Sequence, residues 1–182
     1  MSGQSFEVPP LSRVQIRKMA RKIRALSNEL LGSQCVCFDV VKFLDVGLVR
    51  VIPEFKLEIL TTAELGRAHG MTYPDHHTIQ VREDVYEAAY NGQGRDRLTL
   101  AHELGHYVLH AGIGLARTPA DENVKPYRQS EWQANAFGGE LLVSADYVGQ
   151  CASLFEVASR FGVTNDAAKV QWNVFKKEGI VK

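Results

Sequence analysis

Residues 98–106 read Leu98-Thr99-Leu100-Ala101-His102-Glu103-Leu104-Gly105-His106. Two histidines four positions apart on a helix lie about 40° apart around the axis and about 6 Å apart along it. Both imidazoles can then reach one tetrahedral metal ion, and zinc suits such a donor pair. Glu103 sits beside that face, placed to hold a water and take its proton. Leu100, Ala101, Leu104, Val108 and Ala111 fall roughly opposite the two histidines, so one helix face is apolar and the other carries candidate ligands. Histidines buried for packing alone need neither Glu103 nor that segregation. With six histidines in 182 residues, His-Glu-x-x-His arises by chance roughly 0.014 times in a chain of this composition, which favours a metal site.

The helical pattern runs from Arg95 to Ala111 and stops at Gly112. His110 lies about 12 Å along the axis from His102, too far to share its ion, and reads as a cation at the helix C-terminus. A loop of about fifteen residues follows, with Gly114, Pro119 and Pro126, and loops that long commonly carry function. Helical patterning resumes at Gln129–Val143, then at Ala145–Gln150, Phe155–Phe161 and Asp166–Lys177. Two histidines leave a catalytic zinc site one protein ligand short. Glu131 offers a carboxylate on a face shared with Asn135, Gly138 and Leu142, while Ala134, Phe137 and Leu141 suit the core. Gly138 would let this helix approach the histidine helix closely. On spacing alone, Glu131 reads equally well as a first-turn carboxylate favoured by the helix dipole.

Upstream, Ser12 and Gln15 have capping-box spacing, and Ile16, Met19, Ile23, Leu26 and Leu30 form a helical stripe ended by Gly32. Arg13, Arg17, Lys18, Arg21, Lys22 and Arg24 crowd the rest of that helix and read as a solvated face. Cys35–Val51 reads as a short helix and a turn. Phe55–Leu60 alternates as a strand, and His69–Pro74 with Thr78–Arg82 read as a hairpin around Asp75-His76-His77. The charges at Arg82 and Glu83 suggest that Thr78–Arg82 is an exposed edge able to pair with an extended substrate. Val85–Tyr90 reads as a short helix and Asn91–Gly94 as a turn. His69, His76, His77, Tyr73 and Tyr127 could each stabilise an oxyanion, and nothing local selects among them. Helices flanking one compact run of strands make an α+β fold with a small antiparallel or mixed sheet.

Lys plus Arg and Asp plus Glu both number 21, so the net charge is zero and a strongly basic nucleic-acid binder is disfavoured. No apolar run reaches the length of a membrane span, and residues 1–10 do not read as a signal peptide. Cys35, Cys37 and Cys151 are an odd set without a Cys-x-x-Cys pair, which fits a reducing compartment; the expectation is a cytoplasmic protein with no membrane association. Length sets the expectation of one domain over residues 1–182. Residues 153–178 have the outline of a helix-turn-helix, but with five basic and three acidic side chains over residues 153–182 they read as a packing element, so direct DNA binding is not expected.

Leu98–His106, followed by Glu131-x-x-Ala134-Asn135-x-Phe137 and Leu141-Leu142, resembles the ImmA/IrrE family of zinc metallopeptidases. The resemblance is strongest over residues 72–143 and weaker over 1–60; Val143-Ser144 stands where the family often has Met-Pro, a structural position. It implies a zincin-like fold, with His102, His106 and Glu131 holding zinc in a gluzincin-like arrangement and Glu103 as the catalytic base. It also implies a protein substrate, a helix-turn-helix transcriptional repressor, cut in stress response or in the regulation of phage and mobile elements. Among other acids after His106, Asp121 and Glu122 lie in the Pro-bounded loop, Glu140 lies about 180° round the helix from Glu131, and Asp146 lies past the Leu141–Val143 core run. Asn135, one turn beyond Glu131, could orient it. The rival expectation is a non-enzymatic regulator that binds DNA or protein and keeps zinc in a structural or sensory role.

Overall fold

The computed structural model describes residues 5–32, 35–113 and 123–181. Helix α1 (Arg13–Leu31) starts at the Ser12–Gln15 capping box and ends at Gly32, whose φ of 68° is the left-handed conformation that glycine reaches without strain. A continuous helical stretch follows: α2 (Val40–Lys42), a π turn (Phe43–Gly47) and a 3₁₀ turn (Leu48–Arg50). Phe43 and Leu44 are fully buried there.

Strands β1 (Lys56–Leu60), β2 (Gly70–Tyr73) and β3 (Thr78–Arg82) form a mixed sheet in the order β1-β3-β2. β3 runs parallel to β1 and antiparallel to β2, with Ile79 opposite both Leu57 and Thr72. A short helix, α3 (Thr62–Leu65), crosses from β1 to β2 on a capping box of Thr61 and Glu64 that the sequence reading passed over. The hairpin is present, but β3 is the central strand and not an edge. Its charge sits only at the strand end: Arg82 forks onto Asp84, and Glu83 already opens α4 (Glu83–Tyr90). Ile79 and Val81 are fully buried, as a central strand requires.

Helix α5 (Gly94–Leu109) carries the His-Glu-Leu-Gly-His run, and α6 (Ser130–Leu142) packs along it. Small residues set that approach. A Cβ on Gly105 would meet the Cα of Ala134 at 3.1 Å, and one on Gly138 would meet the backbone nitrogen of His102 at 3.4 Å. Leu100 and Leu104 are fully buried opposite the histidines and join Phe137, Leu141 and Ile16 in one core. Truncating such a leucine to alanine costs about 2–5 kcal/mol.

After α6 the chain makes only a 3₁₀ turn (Val148–Gln150) where a helix over Ala145–Gln150 was expected. Helices α7 (Leu154–Phe161) and α8 (Asn165–Lys177) follow, joined through Gly162 at φ 61°. Their turn packs on the start of α5: a Cβ on Gly94 would lie 2.7 Å from the Thr164 nitrogen. A segment near the N-terminus bridges to the stretch just before α6, with Glu7 opposite Gln129 and the Val8 N–H donating to Arg128 O at 2.8 Å. Among the described residues, eight α-helices around a three-stranded mixed sheet make an α+β fold. No helix among the described residues is long and apolar enough to cross a membrane.

Of the six basic residues expected on a solvated face of α1, Lys18, Arg21 and Lys22 are exposed, but Arg17 and Arg24 are buried and Arg13 is half-buried. Arg17 grips the fully buried Glu140 carboxylate at 2.7 and 2.9 Å, and Arg13 reaches the same group at 3.4 Å. Arg21 pairs with Asp146. Arg24 donates to the carbonyls of Leu141, Cys35 and Val36. A buried carboxylate needs paired charge, and α1 supplies it.

Candidate metal centre

His102 and His106 lie one turn apart on α5, and their Nε2 atoms are 3.0 Å from each other. Glu131, in the first turn of α6, brings Oε1 to 3.1 Å from His106 Nε2 and Oε2 to 3.4 Å from His102 Nε2. These are the one group among the described residues in which three potential ligand atoms converge, all within 4.8 Å of one another. The helix contact through Gly105 and Gly138 is what brings the carboxylate within reach. Of the other acids considered, Glu140 is turned away into the Arg17 pair and Asp146 is held by Arg21. Asp121 and Glu122 lie outside the described residues.

The opposite side of each imidazole reports its proton. His102 Nδ1 is 3.0 Å from Asn135 Oδ1, an acceptor, so Nδ1 carries the hydrogen and Nε2 is bare toward Glu131. Asn135 therefore orients His102 and not Glu131. His106 Nδ1 is 3.0 Å from His110 Nδ1. His110 is buried, and burial above all pushes its imidazole down to about 4. It is not the helix-end cation its position suggested.

Two imidazole nitrogens and a carboxylate converge there, a group whose buried polar atoms a shared cation can satisfy. Ionisation agrees with that demand. Burial works against charge on His102, but Glu131 and Glu103 outweigh it and its pKa is raised. Burial likewise opposes a charged Glu131, yet its closeness to the two imidazoles holds its carboxyl well below the usual carboxylate range. The donor set thus fits a divalent ion of borderline softness: two imidazoles, one carboxylate and an open side.

That open side is a cleft of about 480 Å³ whose walls include His102, Glu103, His106 and Glu131. Glu103 is 7% exposed and follows His102 round α5. The Thr72 hydroxyl, on β2, donates to Glu103 Oε2 at 2.7 Å and lies 3.1 Å from the Glu103 carbonyl. Gly70, two residues earlier on the same sheet face, makes room for this: its Cβ would meet Glu103 Cγ at 2.8 Å. The backbone of β2 also faces out. Arg82 N–H bonds His69 O, and from that register Gly70 and Thr72 direct their N–H and C=O away from β3. Of the five oxyanion candidates, His69 and Tyr73 line the cleft. His77 instead pairs with the Tyr107 hydroxyl at 2.9 Å, and Tyr127 is among the exposed side chains.

The family model for the IrrE N-terminal-like domain, Peptidase M78, matches residues 57–173. The chain belongs to this family. That span takes in most of the sheet, α5 and α6, and the three converging side chains of this IrrE-like domain that could hold a metal ion. A transcriptional regulator from Mycobacterium tuberculosis shares the fold, with a TM-score of 0.52 at 15% identity. The alignment covers 87% of the IrrE-like chain and 51% of that regulator, so the chain spans about half the regulator's length. No curated protein matches it in sequence. Sequence reasoning missed Thr72, Gly70 and Gln133, the last of which bonds His110; the i, i+4 spacing of His106 and His110 was the available sign that these two rings touch.

Proposed function

We propose that this chain is a zinc-dependent endopeptidase that cuts one protein partner, a helix-turn-helix transcriptional repressor, in the control of stress genes or mobile elements. The observation that carries the hydrolytic reading is the convergence of His102, His106 and Glu131 beside Glu103 in one open cleft. Membership of a metallopeptidase family supports the reaction class. The family resemblance in the motif, and the fold shared with a transcriptional regulator of Mycobacterium tuberculosis, support the regulatory setting.

A zinc ion in this site would supply a Lewis acid that polarises the scissile carbonyl and acidifies water. Glu103, steered by Thr72, takes a proton from the attacking water and returns it to the leaving amine. Gly70 and Thr72 offer outward backbone groups with which an extended substrate can pair, so the substrate-pairing edge belongs to β2 rather than β3. Cys35, Cys37 and Cys151 are unpaired, which supports a cytoplasmic site of action. The rival, a non-enzymatic regulator that binds DNA or protein, draws on the arginines of α1 and on the C-terminal helix pair; of these, Arg13, Arg17, Arg21 and Arg24 are already engaged within the chain.

The test is to look for a helix-turn-helix repressor encoded beside this protein and to incubate it with the zinc-loaded chain, followed by mass spectrometry of fragments. Discrete fragments that vanish with Glu103→Gln support the proposal. An intact repressor, together with a zinc-dependent gel shift on DNA, supports the rival.

A further inference from the structure

Gln133 is 1% exposed, and its side chain is pinned at both ends. Its Nε2 lies 2.8 Å from Pro9 O and 2.8 Å from Tyr127 O. Carbonyl oxygens only accept, so the nitrogen end of the amide must face them. The other end, Oε1, lies 3.1 Å from His110 Nε2. An amide oxygen also only accepts, so His110 Nε2 carries the hydrogen. A neutral imidazole protonated there has a bare Nδ1, and that atom is 3.0 Å from His106 Nδ1. His106 Nδ1 must therefore donate, and the lone pair of His106 is left on Nε2, facing His102 and Glu131.

We propose that His110 and Gln133 are positioning residues that hold His106 in its Nδ1–H tautomer and thereby present its Nε2 lone pair to the metal. The inference rests on the metal-site reading above. It gives each histidine ligand its own partner: Asn135 for His102, and a two-residue relay for His106. The relay ends on backbone carbonyls from two separate stretches, one before α1 and one before α6. Its setting is therefore fixed by main chain that cannot rotate, which a surface water could not ensure.

Two measurements test the relay. Long-range ¹H–¹⁵N correlation spectra of the metal-free full chain read ring tautomers directly. They should show the hydrogen of His106 on Nδ1 and that of His110 on Nε2; an Nε2–H signal for His106 overturns the proposal. Zinc affinity by chelator competition comes next, on His110→Leu and His110→Asn. Leucine keeps bulk and removes the acceptor, so affinity should fall about 10- to 100-fold. Asparagine restores an acceptor oxygen near the place of Nδ1 and should recover most of that loss. Unchanged affinity in His110→Leu, or equal weakening in both variants, overturns the relay. If the unaltered chain binds no zinc, the metal-site reading fails, and the two ring tautomers still decide the relay.

Discussion

At the scale of single residues, the proposed function divides the site into groups that would hold a cation and groups that would move a proton. Glu103→Gln keeps shape and leaves all three converging ligands in place, so zinc content measured by elemental analysis should stay at one per chain. Cleavage should fall by about 10²–10⁴, the share ordinarily carried by a general base. Glu131→Gln should do the reverse and lose the metal first, because the amide supplies a weaker donor where a carboxylate faces two imidazoles. Thr72→Val separates steering from binding. It removes the 2.7 Å hydroxyl bond to Glu103, and bonds to charged groups are worth about 1.5–3 kcal/mol. Turnover should drop roughly tenfold or more with zinc retained; full activity in metal-loaded Thr72→Val would remove Thr72 from the mechanism. Glu103 and the histidine pair were legible because one turn of helix fixes their relation. Thr72 was not, since it sits on another element, 31 positions away, and no local pattern links them.

At the scale of elements the decisive contact is α5 on α6. Gly105 faces the Ala134 backbone, which cannot swing aside as a side chain can. Gly105→Ala forces the helices apart by a few tenths of an ångström, at a cost of about 1–3 kcal/mol for overpacking. The same shift moves Glu131 from the histidines, so zinc affinity should fall along with the melting temperature. Chelator competition reads the first and thermal denaturation the second; unaltered affinity would mean that α6 need not sit this close. The existence of α1, α5, α6, α7 and α8 was readable from helical periodicity and capping residues. Strand order was not. Charge at Arg82 and Glu83 mimicked an edge, whereas pairing with both β1 and β2 depends on contacts that no single strand encodes.

At the scale of the whole molecule, ion pairs lock the first helix to the sixth and eighth. Glu140 is fully buried under Arg17, which also pairs with Glu178, and the Arg17 pKa is raised chiefly by its hydrogen bond to Glu140. Removing one partner of a buried pair costs about 3–5 kcal/mol, because the other charge is left uncompensated. Glu140→Ala should therefore lower the melting temperature by roughly 6–20 °C in a domain of this size. Zinc stoichiometry below the transition should not change, since Glu140 faces away from the ligands. A run of arginines on α1 could be counted in the sequence, but the acids that pair with it lie more than a hundred positions away. Spacing therefore told of a basic helix and not of its burial.

The pairing of Glu7 with Gln129, and of Pro9 with Gln133 across 124 positions, has a consequence for biosynthesis. A ribosome adds about 5–20 residues per second, so a nascent chain displays His102 and His106 roughly 1–5 s before Glu131 leaves the exit tunnel. In that interval two imidazoles on an unsupported helix have neither their carboxylate nor the Gln133 that bonds His110. Under the proposed reading, metal loading waits until α6 has closed on α5, and the growing polypeptide cannot attack neighbouring chains on the same message.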